Sequence, residues 1–596
     1  MIKKLAKYIG QYKKYVLVAP ILVLLDVIAE LSMPLLMSKI VDVGIPGGDN
    51  GYIVRIGIYM ILLAIAAIVL GVMNMKVSAT AGQGFGANLR EALFKKVQSF
   101  SFTNIDHFSS ASLITRLTND VNNLQMTFIM GIRLMLRAPM MLIVALILAF
   151  QINAQLSLVL AVAIPILVIA IAFIMSKAVK LYAVMQEKID ALNNTVQENL
   201  IGIRVVKSFV RQNHEKKKFK KTNDDLTAAA IRAANLALTA MPIMMFVING
   251  ATIAIMWFGG GMVGNGTMGT GELISFISYV MQILISIMML SMVILMIARA
   301  EASGKRILEV LDEEVDIVDP VSLTTDTTNL QIPASGMVAG PVNTIKTGKV
   351  EFRDVSFKYA VSGSGEYVLN NIDFVIQPGE LVGIVGGTGT GKTTMVNLIP
   401  RLYDVTDGAV LVDDVDVREY NLTDLRKGIG VVLQQNTLFS GTIRENLLWG
   451  NEHATQEELE TACKDAQAHD FIMSFPQGYD TVLGQGGVNI SGGQKQRLYI
   501  ARAMLKKPKV LILDDSTSAV DSATEAKIRE SFHSNLKDTT VFIIAQRISS
   551  VNKADKILVL DDGKIVGMGS HQELMAGNAV YQEINTSQQE GVLSNA

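Results

Sequence analysis

Two short stretches carry side chains of the right types and spacing to handle a polyphosphate. The first is GIVGGTGTGKTT, residues 383–394. Within it Gly386, Gly387, Thr388, Gly389, Thr390, Gly391, Lys392 and Thr393 fit the spacing G-x-x-x-x-G-K-S/T, and Thr394 follows directly. Such glycines let backbone N–H groups wrap phosphate oxygens. A lysine at this place reaches the β- and γ-phosphates, and the hydroxyl next to it can ligate Mg²⁺. The second stretch is VLILDD, residues 510–515, in which four apolar residues lead to Asp514. A carboxylate at the end of a buried strand is placed to hold Mg²⁺, usually through water. Each stretch has a bland rival, a glycine-rich turn for one and a helix N-cap for the other. Together they point to ATP and Mg²⁺.

These residues need a sheet to hold them, and the chain downstream of Lys349 supplies its pattern. Short β-like runs alternate with helical stretches there, which predicts an α/β domain with a largely parallel sheet over 349–585 and a tail over 586–596. The preceding segment, 316–348, is rich in Ser, Thr, Pro and Gly and reads as a linker. Everything before it is different. Half of the 596 residues are hydrophobic and 18% are charged, too few charges for a soluble chain of this length. Long apolar stretches near 16–40, 54–76, 133–152, 155–177, 242–265 and 270–297 each approach the roughly 20 residues that cross a bilayer. A six-span helical domain over 15–315 is therefore expected, with helices extending out of the membrane. The first stretch is too long for a cleaved signal, and no small-residue cleavage site follows it. The net charge of −1 gives no field that would draw nucleic acid, and the single cysteine, Cys463, allows no internal disulfide.

Basic residues orient the spans. The start MIKKLAKYIGQYKK and the connections 77–132 and 178–241 are rich in Lys and Arg, whereas 42–53, 153–154 and 266–269 contain neither. The positive-inside rule puts both termini, the long connections and the ATPase domain in the cytoplasm of a multi-pass cell-membrane protein. Residues 1–14 place Ile2, Leu5, Ile9 and Tyr12 on one helical face, as in a helix lying on the inner leaflet, with a basic tail as the alternative. Asp26 and Glu30 sit one turn apart in the first span. They either face a cavity that attracts cations or pair with Arg133 or Arg137. Ser275, Ser278, Gln282 and Ser286 share one face of the last span and either line a cavity or tie helices together. Met244, Met245, Met256, Met281, Met288, Met289, Met292 and Met296 crowd the last two spans. Methionine suits a surface that accepts many shapes, and it is equally common as filler.

Between the phosphate-type motifs lies NISGGQKQR, residues 489–497. Ser491, Gly492, Gly493 and Gln494 resemble the signature motif of ABC transporter ATPases. Their mechanical reading is a helix N-terminus whose amides face an anion. Tyr359 in VSFKY resembles the family's adenine-stacking aromatic, Gln434 in VVLQQNTLF its glutamine that senses Mg²⁺ and γ-phosphate, and SAVD (518–521) its D-loop. The whole chain resembles an exporter half-transporter of the multidrug or lipid type. That resemblance implies a dimer with nucleotides sandwiched between the phosphate loop of one chain and the signature of the other. Membrane lipid and a small hydrophobic or amphiphilic cargo are its other implied partners. It also implies two coupling helices, expected at 108–120 and 205–215. No protease domain precedes the first span, so a peptide exporter with built-in processing is disfavoured.

The chain departs from the family pattern at three places. The family has Glu after the Mg²⁺ aspartate, as the base that polarises water, and here it is Asp515. Losing one methylene withdraws the carboxylate by about 1 Å, which can cost on the order of 100-fold in rate. In FIIAQRISSV the family has His where this chain has Gln546. An amide donates to phosphate but does not titrate. In TVLGQGG (481–487), Gln485 replaces an acid. Asp515 and Gln546 belong to one site while the signature is intact. The chain thus resembles the degenerate-site subunit of a bacterial heterodimeric multidrug exporter. Its own site would bind ATP and hydrolyse it slowly, with Asp515, Gln546 and Gln434 as the hydrolytic set and Thr393, Gln434 and Asp514 around the metal. The alternatives are a homodimer with two slow sites and a regulatory subunit in which ATP is only a structural ligand.

Overall fold

The computed structural model describes residues 1–320, 344–359, 365–517 and 519–593. Most of the linker expected over 316–348 lies outside the described residues, as does Ser518 of the SAVD stretch. The chain forms two compact units, Met1–Gln98 with Ala111–Asp312, and Ser99–Ser110 with Glu313–Ala596.

The first unit is helical. Among the described residues six helices are long and apolar enough to cross a membrane: Lys3–Gly44, Asn50–Gln98, Ser110–Ile152, Leu158–Ile201, Gln212–Gly264 and Thr270–Leu290. In hydrocarbon every backbone N–H and C=O must be satisfied within its own segment, which selects helices. At ~1.5 Å per residue, the 49 residues of Asn50–Gln98 reach about 74 Å, well beyond a hydrocarbon core of about 30 Å. Ile61, Ile65, Ile68 and Val72 on this helix are exposed, as lipid-facing residues are. The interior of the bundle is built by Val23, Val27, Leu31, Ala145, Ala149, Leu167, Phe276 and Ile283.

Several open readings of the membrane half are decided by contacts. Arg137 forms ion pairs with both Asp26 and Glu30, so these acids pair within the bundle, and Arg137 rather than Arg133 is the partner. Ser275 donates to the Pro34 carbonyl at 2.5 Å, and Tyr279 donates to the Leu31 carbonyl at 2.6 Å. Ser275 therefore ties two helices together beside a proline that cannot donate, while Ser278 and Ser286 bond back to carbonyls of their own helix. Met245, Met256 and Met281 are exposed, Met244 and Met288 pack on the bundle interior, and the Met292 side chain lies outside the described residues.

Three expected elements differ from their expected bounds. The helix expected over 1–14 is in two pieces, Ile2–Ala6 and a 3₁₀ segment Lys7–Tyr12, broken at Gly10 with φ 53°. The break lets Asn88 Nδ2 donate to the Tyr8 carbonyl at 2.9 Å, and a Cβ on Gly10 would meet that same nitrogen at 2.9 Å. Leu5 is buried, and Lys4 pairs with Asp312 at 2.7 Å. The first short helix between long ones is Phe102–Phe108 rather than 108–120, because Ser101 and Asn104 close a capping box at its start. The next long helix begins at Ser110. The second is Ile203–Ser208, shorter than 205–215, ended by Val210 at φ 53° before Gln212 opens the next long helix.

The second unit is α/β. Its six-stranded sheet has the order Lys564–Gly569, Lys556–Asp561, Leu381–Gly386, Thr540–Ile544, Val510–Asp514, Ile429–Val432. All neighbours are parallel except the outermost pair, Lys556–Asp561 with Lys564–Gly569. Parallel strands are covered on both faces, and so all five residues of Val510–Asp514 are buried. A four-stranded antiparallel sheet of Leu369–Ile376, Val350–Phe357, Asp407–Val412 and Val415–Asp416 shares a core with one face of the larger sheet, Phe352, Phe374 and Val410 packing in one cluster with Ile384, Ile512 and Phe542. The helix Phe102–Phe108 belongs to this unit: Asn104 Nδ2 donates to Glu313 Oε1 at 3.1 Å, and Tyr403 donates to Asp106 at 2.8 Å.

Candidate nucleotide site

Three parallel strands end side by side, and their carboxyl ends build a cavity of about 510 Å³. This is where open parallel sheets place their ligands. Leu381–Gly386 delivers the phosphate loop, Val510–Asp514 delivers Asp514 and Asp515, and Thr540–Ile544 leads to Gln546. Gln434, two residues beyond the strand Ile429–Val432, completes that rim.

The loop is shaped by glycine. A Cβ on Gly386 would lie 2.2 Å from the Leu560 carbonyl oxygen, and Gly391 caps the next helix, Lys392–Leu398, with φ 91°. No larger residue fits the first place, and the second is left-handed backbone. Lys392 folds over this loop and donates to the carbonyls of Gly386 at 3.0 Å and Gly387 at 2.5 Å. Burial holds its ammonium below the usual lysine range, opposed by Asp514 and Asp515. A partly desolvated cation resting on carbonyls is ready to exchange them for phosphate.

Asp514 is buried, and its Oδ2 has no hydrogen-bond partner. Burial pushes its carboxyl above the usual aspartate range, against hydrogen bonding from Thr393 and the Gln434 backbone. A buried, half-satisfied carboxylate beside a hydroxyl is the donor set a hard dication takes, and it fits Mg²⁺. Next to it Asp515 has φ 47°, a left-handed conformation that Asp tolerates better than Glu. Its carboxylate accepts from Gln546 Nε2 at 2.7 Å. Burial also raises Asp515, less so because of Gln546 and Lys392.

Tyr359 lies at the other end of the loop, beside Thr388, Gly389 and Thr390. Its hydroxyl is 2.9 Å from Thr394 Oγ1, and its ring meets Phe357 and Tyr403 edge-on. Ser491, Gly492, Gly493 and Gln494 do not line this cavity. They open the helix Gly492–Leu505, where Ser491 and Gln494 form a reciprocal capping box. The Ala519 N–H donates to Gln496 on the same helix at 2.9 Å, holding the residue after Ser518 against it.

Sequence reasoning missed one wall. The helix Ala579–Leu593 runs through the expected tail 586–596 and brings Glu583, Ile584, Ser587 and Gln588 to the cavity. No motif marks them. The stretch AVYQEINTSQQEGVL shows only that a helix is possible.

Residues 16–288 match the ABC transporter transmembrane region family, and residues 369–518 match the ABC transporter family. The chain is 39% identical to the uncharacterized ABC transporter ATP-binding protein YfiB of Bacillus subtilis, over 98% of each chain. It is 33% identical to the ATP-dependent lipid A-core flippase of Syntrophus aciditrophicus, over 85% of this chain and 81% of that one. It is 31% identical to the putative multidrug export ATP-binding/permease protein YgaD of Bacillus subtilis, over 99% of each. In fold it matches a bacterial Atm1-family ABC exporter solved with ATP bound, with TM-score 0.78, 24% identity and coverage of 97% of this chain and 99% of that one. With six candidate spans in one unit, an α/β domain in the other and these relatives, the chain belongs to the ABC transporters, as a multi-pass, ATP-driven half-transporter of the exporter type.

Proposed function

We propose that this chain is one half of a heterodimeric exporter, that its own site binds Mg-ATP and hydrolyses it slowly, and that its signature completes a competent site on a different second subunit. One observation carries the reading: Asp515 and Gln546, two of the three departures from the family pattern, are hydrogen-bonded to each other at 2.7 Å in the cavity that the phosphate loop lines. A general base must present its free oxygen to water within hydrogen-bond reach. Here the base is one methylene short and already receives an N–H from a side chain that cannot take up a proton. Binding groups on the other wall are complete. Thr393, Asp514 and Gln434 would hold Mg²⁺, the loop and Lys392 the phosphates, and Tyr359 the adenine. Ser491 to Gln494 would meet the γ-phosphate bound by the partner.

The cargo is a drug-like or amphiphilic compound. The exposed methionines of the last two spans support this, and so do the names of two relatives, a lipid A-core flippase and a putative multidrug export protein. The Lys- and Arg-rich connections support, by the positive-inside rule, a cytoplasmic ATPase domain and cytoplasmic termini.

The test is ATP hydrolysis by this chain purified alone from membranes, beside the same chain co-expressed with the half-transporter encoded next to it. Activity only in the pair is expected. Equal activity of the chain alone makes it a homodimer with Asp515 as a working base, and overturns the reading.

A further inference from the structure

The C-terminal helix Ala579–Leu593 is pinned at its start and does its work two turns later. Tyr581 is fully buried, its hydroxyl lies 2.7 Å from His571 Nδ1, and its N–H is accepted by Asn578 Oδ1 at 2.8 Å. Asn578 in turn donates to the Val566 carbonyl at 2.8 Å, on the edge strand Lys564–Gly569. From this anchor the helix projects Glu583, Ile584, Ser587 and Gln588 along one face, at the spacing that side chains of one helical stripe require, and that face walls the nucleotide cavity.

Gln588 uses both ends of its carboxamide on the loop that follows the strand Thr540–Ile544. Its Nε2 donates to the Gln546 carbonyl at 2.7 Å, and its Oε1 accepts from the Ile548 N–H at 2.9 Å. One side chain thus ties the backbone on either side of Arg547, just where the sheet no longer does so. Gln546, held this way by its backbone, reaches Asp515 with its side chain at 2.7 Å. The relay Gln588–Gln546–Asp515 ends in the cavity that Gly386, Gly387 and Lys392 of the phosphate loop also line.

We infer that Gln588 is a positioning residue for the γ-phosphate end of this site: it fixes the loop backbone so that the Gln546 amide stands where the terminal phosphate arrives. The C-terminal helix is then part of the machinery that distinguishes ATP from ADP. This rests on the reading that the cavity binds ATP with its γ-phosphate at Gln546, and it stands whether the partner subunit is identical or different.

The experiment uses the full-length chain in its assembled transporter, with azido-ATP and azido-ADP photolabelling read on this chain's own band. Gln588→Leu keeps the bulk of the side chain and removes both hydrogen bonds. Their loss is expected to lower the preference for ATP over ADP about tenfold, the scale of one or two neutral hydrogen bonds. ADP affinity should be unchanged, since ADP does not reach Gln546. Combining Gln588→Leu with Gln546→Ala should cost no more than Gln546→Ala alone, because both act through one contact. An unchanged ATP-to-ADP ratio would overturn the inference. So would an equal loss for both nucleotides, the mark of a helix that merely stabilises the domain, or additive effects in the double variant.

Discussion

The two walls of the nucleotide cavity are built by different means. On the phosphate-loop wall the shape is in the backbone. Gly386 packs where no Cβ fits, Gly391 turns the chain through a left-handed conformation, and Lys392 rests on two loop carbonyls. On the opposite wall the shape is in side chains reaching across from three separate elements, Asp515, Gln546 and Gln588. The first wall tolerates almost no change and has the family's residues. The second is made of single side chains, and two of this chain's three departures from the pattern, Asp515 and Gln546, are there. On the proposed function, binding rests on the first kind of structure and hydrolysis on the second, which makes the two separable.

The sharpest way to break the comparison is to alter the backbone wall. Gly386→Ala would drive a methyl to 2.2 Å from the Leu560 carbonyl, so the loop must open. ATP photolabelling of this chain should fall to background, a loss of at least about 100-fold, since a displacement near 1 Å in such a site is worth that much. If labelling survives, the wall is softer than its geometry states.

The side-chain wall should instead respond in the opposite direction. Asp515→Glu with Gln546→His is expected to raise single-turnover hydrolysis at this site on the order of 100-fold, measured in the assembled complex with the partner's site disabled. The gain comes with a local cost. At φ 47° a Glu lacks the tolerance of an Asp, and about 1 kcal/mol of stability should be lost, visible as a lower melting temperature. A lower melting temperature with no gain in rate would mean that Asp515 was selected for its backbone rather than its slowness.

The same contrast explains what was legible in the sequence. Six spans and a largely parallel sheet were readable because hydrocarbon and double-sided burial each leave long apolar runs. The phosphate loop was readable because glycine positions record backbone shape. Gln588 was not, because a carboxamide on a helix looks the same whether it faces solvent or a loop 42 residues earlier. Nor was Asp106, whose bond to Tyr403 joins residues 297 apart in the chain. The break at Gly10 escaped for a similar reason: the apolar spacing of 1–14 is helical, and only the docking of Asn88 shows why the chain turns there.

The signature helix tests the comparison from outside the cavity. Ser491 caps its helix with a 3.3 Å bond from the Gln494 N–H, so Ser491→Ala removes a cap as well as the hydroxyl proposed to meet the partner's phosphate. Ser491→Asn keeps the cap. Both variants should impair the partner's site more than this chain's own. Only Ser491→Ala should also lower the melting temperature, by the equivalent of about 1 kcal/mol. Equal damage to both sites would argue that the signature acts within its own chain.

The smallest effect separates a carboxylate kept for structure from one kept for a cation. Asp413 accepts from the backbone N–H groups of Lys346, Thr347, Gly348 and Lys349. Burial raises its carboxyl, but these bonds and the Thr347 hydroxyl outweigh it and hold it below the usual range. Its contribution is therefore present above the unfolded-state value and is lost as the pH falls through the lower folded-state value, in the acid limb below about pH 4. Asp514 is raised, chiefly by burial, so at neutral pH its charge costs stability until a cation arrives. Asp413→Asn should lower the melting temperature of the nucleotide-free transporter and blunt its acid limb, whereas Asp514→Asn should raise the melting temperature slightly, by the equivalent of about 1 kcal/mol. The same Asp514→Asn substitution should erase the stabilisation that Mg-ATP gives the parent protein, because it removes the orphaned oxygen proposed as the metal ligand.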